Sequence, residues 1–144
     1  MALLLLRHAP AGSRDPAANP AEDRRRPLDQ QGLRQAHGLP ALYSGYDVER
    51  VLTSPYLRCR QSVEPLAAAL GLPVEERAQL AEGAAEVDAR ALVEELAGST
   101  AVLCTHGDVL ILLLGEEPEK GETWVVEAGP AGSLRRSAYL PPPS

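Results

Sequence analysis

Three short stretches of the chain carry side chains suited to holding and transferring an anionic group. They are Arg7-His8, Arg58 within Ser54-Pro55-Tyr56-Leu57-Arg58, and His106-Gly107-Asp108. A neutral imidazole offers a basic ring nitrogen that can attack an electrophile, and a guanidinium grips two oxygens of a phosphate at once. Taken singly, each stretch also has an ordinary reading. An Arg-His pair can be a solvated strand end, Arg58 a helix-surface arginine, and His106 a strand-end histidine bonded to backbone. Because the three stretches lie far apart in the sequence, only the fold can decide whether they act together.

The elements around them predict that they meet. Ala2 to Leu6 is wholly apolar, too short to span a bilayer, and reads as a strand covered on both faces. Arg50 to Ser54 and Thr100 to Thr105 read the same way, so two buried strands end in a histidine and a third ends in Ser54-Pro55. That pair is expected to cap and open a helix with Cys59, Val63, Leu66 and Leu70 on its buried face, kinked at Pro65 and closed by Gly71. Asp29 is expected to cap an earlier helix with Leu33, Ala36 and Tyr43 on one face, broken near Pro40, with His37 exposed. A third helix is expected from Asp88 to Gly98, burying Ala89, Leu92, Val93 and Leu96, and a short buried helix over Val109 to Leu114. Thr123 to Ala128 and Leu134 to Leu140 read as strands around the Gly129 to Gly132 turn. The predicted fold class is α/β: a three-layer α/β/α sandwich with a mostly parallel central sheet, whose ligands would bind beyond the carboxyl ends of the strands. Ala9 to Pro27 shows no periodicity, contains Arg14, Arg24, Arg25 and Arg26, and is long enough to be either functional or mobile.

The whole of 1–144 is expected to form a single domain with an aliphatic core, since 44% of the residues are hydrophobic and none is Phe. A net charge of −6 argues against nucleic acid as a partner, which would require a cationic face. The first apolar run is too short for a secretory leader, and no segment suggests a membrane partner. Cys59 and Cys104 lack metal-ligand spacing and are expected to be buried free thiols in a cytoplasmic protein. No metal and no cofactor is expected, and the oligomeric state is open.

Taken together, Leu6-Arg7-His8-Ala9, Ser54-Pro55-Tyr56-Leu57-Arg58-Cys59-Arg60-Gln61-Ser62 and Thr105-His106-Gly107-Asp108 resemble the histidine phosphatase superfamily, with its phosphoglycerate-mutase-like fold. The short chain and Arg26-Pro27-Leu28 are most similar to SixA-type phosphohistidine phosphatases. Ser54 to Ala67 and Lys120-Gly121-Glu122-Thr123-Trp124 also resemble phosphatase domains fused to Nudix hydrolases, although no Nudix portion is expected in these residues. The resemblance implies that His8 is a nucleophile that becomes phosphorylated, assisted by Arg7, Arg58 and His106. It adds Arg26 as a fifth phosphate-binding residue, with Arg24 or Arg25 as substitutes. The Gly107 N–H is expected as a further donor, as helix starts supply for phosphate.

In branches that cleave phosphate esters, a carboxylate protonates the leaving group. Glu82 resembles that acid by its setting, and an exposed loop glutamate is its ordinary reading. Asp108 is a second candidate, although at a helix start it would rather stabilise the N-terminus. Ala9-Pro10 in place of the family's usual glycine, and the short stretch from Gly107 to Lys120, suggest an open pocket. The expected activity is metal-independent hydrolysis of protein phosphohistidine. The alternatives are a small-molecule or nucleotide phosphatase using Glu82 as general acid, and a non-catalytic phosphate-binding module. The expected partner is a phosphorylated protein or a small phosphorylated metabolite.

Overall fold

A computed structural model describes all 144 residues. Six strands, β1 (Leu3–Arg7), β2 (Arg50–Thr53), β3 (Val74–Glu76), β4 (Ala101–Thr105), β5 (Thr123–Ala128) and β6 (Leu134–Leu140), form one sheet in the order β3-β2-β4-β1-β5-β6. The first four in that order run parallel, while β5 pairs antiparallel with β1 and β6 antiparallel with β5. Five α-helices accompany them: α1 (Pro20–Arg24), α2 (Gln30–Leu42), α3 (Leu57–Leu70), α4 (Glu86–Glu95) and α5 (Gly107–Leu114). No helix is long and apolar enough to cross a membrane.

Successive side chains of a strand point to opposite faces, so a strand without polar alternation needs cover on both. The structure supplies it. Leu4, Leu6, Val51, Val102 and Cys104 pack with Leu39 of α2 and with Cys59, Val63 and Leu66 of α3. Leu3, Leu5, Leu52 and Leu103 pack on the other face with Leu92 and Val93 of α4 and with Val109, Leu110 and Leu113 of α5. Each fully buried leucine contributes about 1.5–3 kcal/mol. Cys59 and Cys104 are both buried free thiols.

The strand register is what gathers the site. Arg7 lies opposite Thr105 and Thr53 opposite Cys104, so His8, Ser54 and His106 leave adjacent strands at neighbouring levels. Backbone bonds hold the exits, from His8 N–H to Thr105 O (3.1 Å) and from Ser54 N–H to Cys104 O (2.9 Å). The turn after His8 is tied to α2. Pro10 O accepts from Asp29 N–H (3.1 Å) and lies so close to Gly32 that a Cβ there would stand 2.1 Å from it.

Several expectations are corrected. The stretch from Ala9 to Pro27 contains α1, whose Asn19 side chain caps Glu22 N–H and whose first residue is Pro20. Asp29 caps α2 as expected, but Pro40 sits inside that helix, which runs on to Leu42; this near the carboxyl end, the lost N–H bond is tolerated. The buried stripe of α2 is Gly32, Gln35, Ala36 and Leu39, leaving Leu33 exposed. Helix α3 begins at Leu57 and not at Pro55, so Ser54 caps nothing there. Pro65 lies within α3 without ending it, and Leu70 is exposed. Helix α4 begins at Glu86, two residues before Asp88, and buries the expected apolar residues. His37 is exposed, as expected.

Candidate active site

A cavity of about 290 Å³ opens beyond the carboxyl ends of β1 and β4, lined without any hydrophobic residue by Arg7, His8, Gly12, Arg14, Arg26, Arg58, Glu82, His106, Gly107, Asp108, Glu117 and Lys120. His8, Arg7, Arg58, His106, Arg26, Gly107, Glu82 and Asp108 are among them, whereas Arg24 and Arg25, the alternatives to Arg26, are not. Asp29 pins the rim by accepting from Gly12 N–H (3.1 Å).

His8 is almost fully buried, and its Nδ1 lies 2.8 Å from Ala9 O. A carbonyl oxygen only accepts, so Nδ1 carries the proton and Nε2 keeps its lone pair. Burial, followed by the charges of Arg58, Arg7 and Lys120, pushes the imidazole pKa down to about 3, despite the opposing bond to Ala9 O. His106 lies beside it, lowered to about 2, chiefly by burial and then by His8, Arg58 and Arg7. Its Nε2 is 2.9 Å from Ser54 Oγ, and its ring stands edge-on to Tyr56.

The two central arginines are held differently. Arg58, in the first turn of α3 and 1% exposed, donates through Nη1 to Asp23 O (2.8 Å) and through Nη2 to Asp23 Oδ2 (3.3 Å) and Glu82 Oε1 (3.4 Å), with its guanidinium over the Tyr56 ring. Arg7 donates to Pro118 O (2.7 Å) and lies 3.5 Å from a Glu117 carboxylate oxygen. Gly107 permits this arrangement, since a Cβ there would stand 2.2 Å from Glu117 Oε1 and 3.0 Å from Arg7 Cζ. No side chain caps α5, which starts at Gly107. Buried polar atoms without partners are rare. Arg7 Nε, Arg58 Nε and His106 Nδ1 are three such atoms, and all belong to residues lining this cavity. A phosphoryl group, rich in acceptor oxygens, matches that donor set.

A model of the histidine phosphatase superfamily, branch 1, matches residues 3–88, more than half of the chain. The chain belongs to the histidine phosphatase superfamily. The family is one of phosphatases, and phosphorylated compounds are its substrates. An 8-oxo-(d)GTP phosphatase of Mycolicibacterium smegmatis is 34% identical over 98% of this chain, which spans 48% of that relative's length. Among solved structures, the protein histidine phosphatase SixA complexed with tungstate superposes with a TM-score of 0.78 at 24% identity, covering 97% of this chain and 96% of its own. A mycobacterial glucosyl-3-phosphoglycerate phosphatase gives 0.71 at 14% identity, covering 99% of each chain. These two structures share the fold.

Within this superfamily member, the structure separates the secondary candidates. Arg26 reaches the cavity while donating to Ala11 O (2.5 Å) and to Asp23 Oδ1 (3.4 Å). Arg24 instead lies over the Tyr56 ring, 5.4 Å from its centre, and does not line the cavity. Glu82 Oε1 accepts from Arg14 Nη2 (2.6 Å) as well as from Arg58. Asp108 accepts from Gly83 N–H (2.7 Å), so it anchors the Glu82 loop to the start of α5. No group of three or more His, Cys, Asp or Glu side chains is arranged to hold a metal ion.

Sequence reasoning missed Gly12 and Glu117 of the lining and, with more consequence, the roles of Asp23 and Ser54. Asp23 pairs with Arg58, Arg26 and Arg14 together, and those guanidiniums hold its carboxyl below the ordinary range against the opposing effect of burial. Ser54 faces His106 instead of capping a helix. The Asn19-Pro20-x-Glu22 capping signature could have revealed α1, but nothing local reveals the partner of Asp23.

Proposed function

We propose that the protein is a phosphatase that transfers the phosphoryl group of its substrate to Nε2 of His8, with protein phosphohistidine as the preferred substrate. The observation that carries this reading is the hydrogen bond from His8 Nδ1 to Ala9 O, which leaves Nε2 unprotonated on a neutral ring in a cavity lined by Arg7, Arg58 and His106. The Nε2 lone pair forms a bond to phosphorus as the bond to the leaving group breaks, and the leaving group takes that electron pair. Water then attacks phosphorus and its proton is lost to solvent; inorganic phosphate departs and the imidazole regains its lone pair. The charge that spreads over the equatorial oxygens is met by Arg7, Arg58 and the remaining nitrogen of His106, with Arg26 and the Gly107 N–H at the rim.

The environment of Glu82 supports the choice of substrate class. Glu82 Oε1 is engaged by Arg14 and Arg58, which leaves only the other carboxyl oxygen to act as an acid, so leaving groups that depart without strong acid assistance are the better match. Phosphohistidine qualifies, and so does a phosphoanhydride. The latter is the second reading, supported by the 34% identity with an 8-oxo-(d)GTP phosphatase. Phosphate release in the presence of a chelator, from a phosphohistidine peptide, an aryl phosphate and a nucleoside triphosphate, tests both readings. Highest kcat/KM on the peptide, abolished in His8→Ala, supports the first. Preference for the nucleotide supports the second, and phosphate binding without release from any of the three points to a binding module.

A further inference from the structure

Ser54 is fully buried at the end of β2, and the helix that follows does not use it as a cap. Its Oγ instead accepts from Tyr56 N–H (3.2 Å) and lies 2.9 Å from His106 Nε2. The two nitrogens of His106 therefore have unlike surroundings. Nε2 faces Ser54 and, at 3.4 Å, the Cys59 thiol, while Nδ1 is buried, has no protein partner and belongs to a residue lining the cavity. We propose that Ser54 is a positioning residue that holds His106 as its Nδ1–H tautomer, so that the free N–H is available to a phosphoryl oxygen. The proposal rests on His106 being a phosphate-binding group.

Hydrogen-bond counting favours this tautomer. A hydroxyl has one proton to donate and two lone pairs. If Nε2 carried the ring proton, Ser54 Oγ would accept from both Tyr56 N–H and Nε2–H, and its own buried proton would have no acceptor. Nδ1 would then present a lone pair to the oxygens of the substrate. In the opposite arrangement, Ser54 O–H donates to Nε2 and Oγ accepts from Tyr56 N–H. The Cys59 thiol, 3.7 Å from Thr105 O, is satisfied there as a weak donor, because the single lone pair of Nε2 is taken by Ser54. Every buried donor in the group then has a partner except Nδ1–H. Each arrangement leaves one buried donor without a protein partner, but the first also leaves the Nδ1 lone pair unpaired and its orphaned hydroxyl stays so with substrate bound, whereas the free donor of the second belongs to the cavity residue and is completed by a phosphoryl acceptor. The site thus gains a donor from His106 that needs no net charge on the ring.

The test is the ring-nitrogen spectrum of the intact, ¹⁵N-histidine-labelled protein at neutral pH, assigned with His106→Gln, alongside kinetics of Ser54→Ala and Ser54→Thr. The wild type is expected to show a protonated Nδ1 and a bare Nε2. Ser54→Ala is expected to lose that pattern together with roughly ten- to a hundredfold of kcat/KM, the usual cost of removing a partner that orients a functional histidine. Ser54→Thr, which keeps the hydroxyl, is expected to restore both. An Nε2–H in the wild type overturns the proposal, as does a folded Ser54→Ala in which only one of the two readouts changes, or neither does. If Ser54→Ala does not fold, the wild-type spectrum decides alone. The spectrum is independent of turnover. A protein with Nδ1–H that never carries a phosphoryl group on His8 contradicts the proposed reaction and not the role of Ser54.

Discussion

The rings of His8 and His106 meet edge to face, with centroids 5.4 Å apart and planes inclined by 65°, just beyond the paired residues Arg7 and Thr105 of two adjacent parallel strands. Both rings are buried, and both are neutral at pH 7. The positive field of the cavity therefore comes from arginine, while the histidines contribute a lone pair and an N–H group.

The neutrality of these rings predicts how stability depends on pH. Each histidine titrates near 6.5 when unfolded but only near 3 (His8) or 2 (His106) when folded, so between those values the unfolded chain binds more protons. Stability is then constant above about pH 6.5 and falls as pH drops below it, by up to about 1.4 kcal/mol per pH unit for each group. Urea midpoints measured from pH 7.5 to 4.5 should show this fall, and His8→Ala should remove close to half of it. Carboxylates such as Asp23 add their own loss at lower pH, where their protonation begins.

Arg58→Lys is expected to lower kcat by about a hundred- to a thousandfold, equivalent to roughly 2.7–4 kcal/mol of transition-state stabilisation. An ammonium cannot hold Asp23 O, the Asp23 carboxylate and a phosphoryl group together as the planar fork does. Steady-state kinetics on a phosphohistidine peptide, with thermal unfolding as the folding control, measure this.

Gly107→Ala tests whether the position of Arg7 matters. The added Cβ crowds the Glu117 carboxylate and the Arg7 guanidinium, both ends of flexible side chains, so the fold should survive while Arg7 moves. The expected result is an unchanged unfolding midpoint with KM raised about tenfold, the loss of roughly one charge-assisted hydrogen bond. Removing the crowding carboxylate as well, in Gly107→Ala with Glu117→Ala, should recover part of the affinity.

Glu82→Gln distinguishes leaving-group chemistries. Turnover of a phosphohistidine peptide should change only a few-fold, because no proton from Glu82 is needed. A loss of about a hundredfold or more on that peptide would instead assign Glu82 as an obligatory proton donor.

The parts of this site that are written in single strands were legible in the sequence. The leucine run ending in Arg7-His8 and the Ala101–Thr105 run ending in His106 declare themselves, because a strand buried on both faces must be continuously apolar and must stop where the chain turns polar. The sheet, its mostly parallel character and both covering layers follow from the same logic. What was not legible depends on tertiary partners. Ser54 carries the local signature of a helix cap, yet its hydroxyl is claimed by His106, on a different strand. Asp23 sits in an arginine-rich stretch that resembles a solvated face, and only the fold brings it to Arg58. Pro40 shows the converse: a residue that ordinarily breaks a helix lies within α2, two residues from its end, where the loss of one N–H bond is tolerated.

The central claim is that phosphoryl transfer passes through His8. Its most direct test is rapid alkaline quenching of the protein during turnover of a phosphohistidine peptide, followed by peptide mass spectrometry under conditions that preserve phosphohistidine. A single phosphoryl group on the peptide containing His8, formed within the first turnover and absent from His8→Ala, is the predicted result. Phosphate release by a protein that never carries a phosphoryl group on His8, or release that persists in His8→Ala, would contradict it.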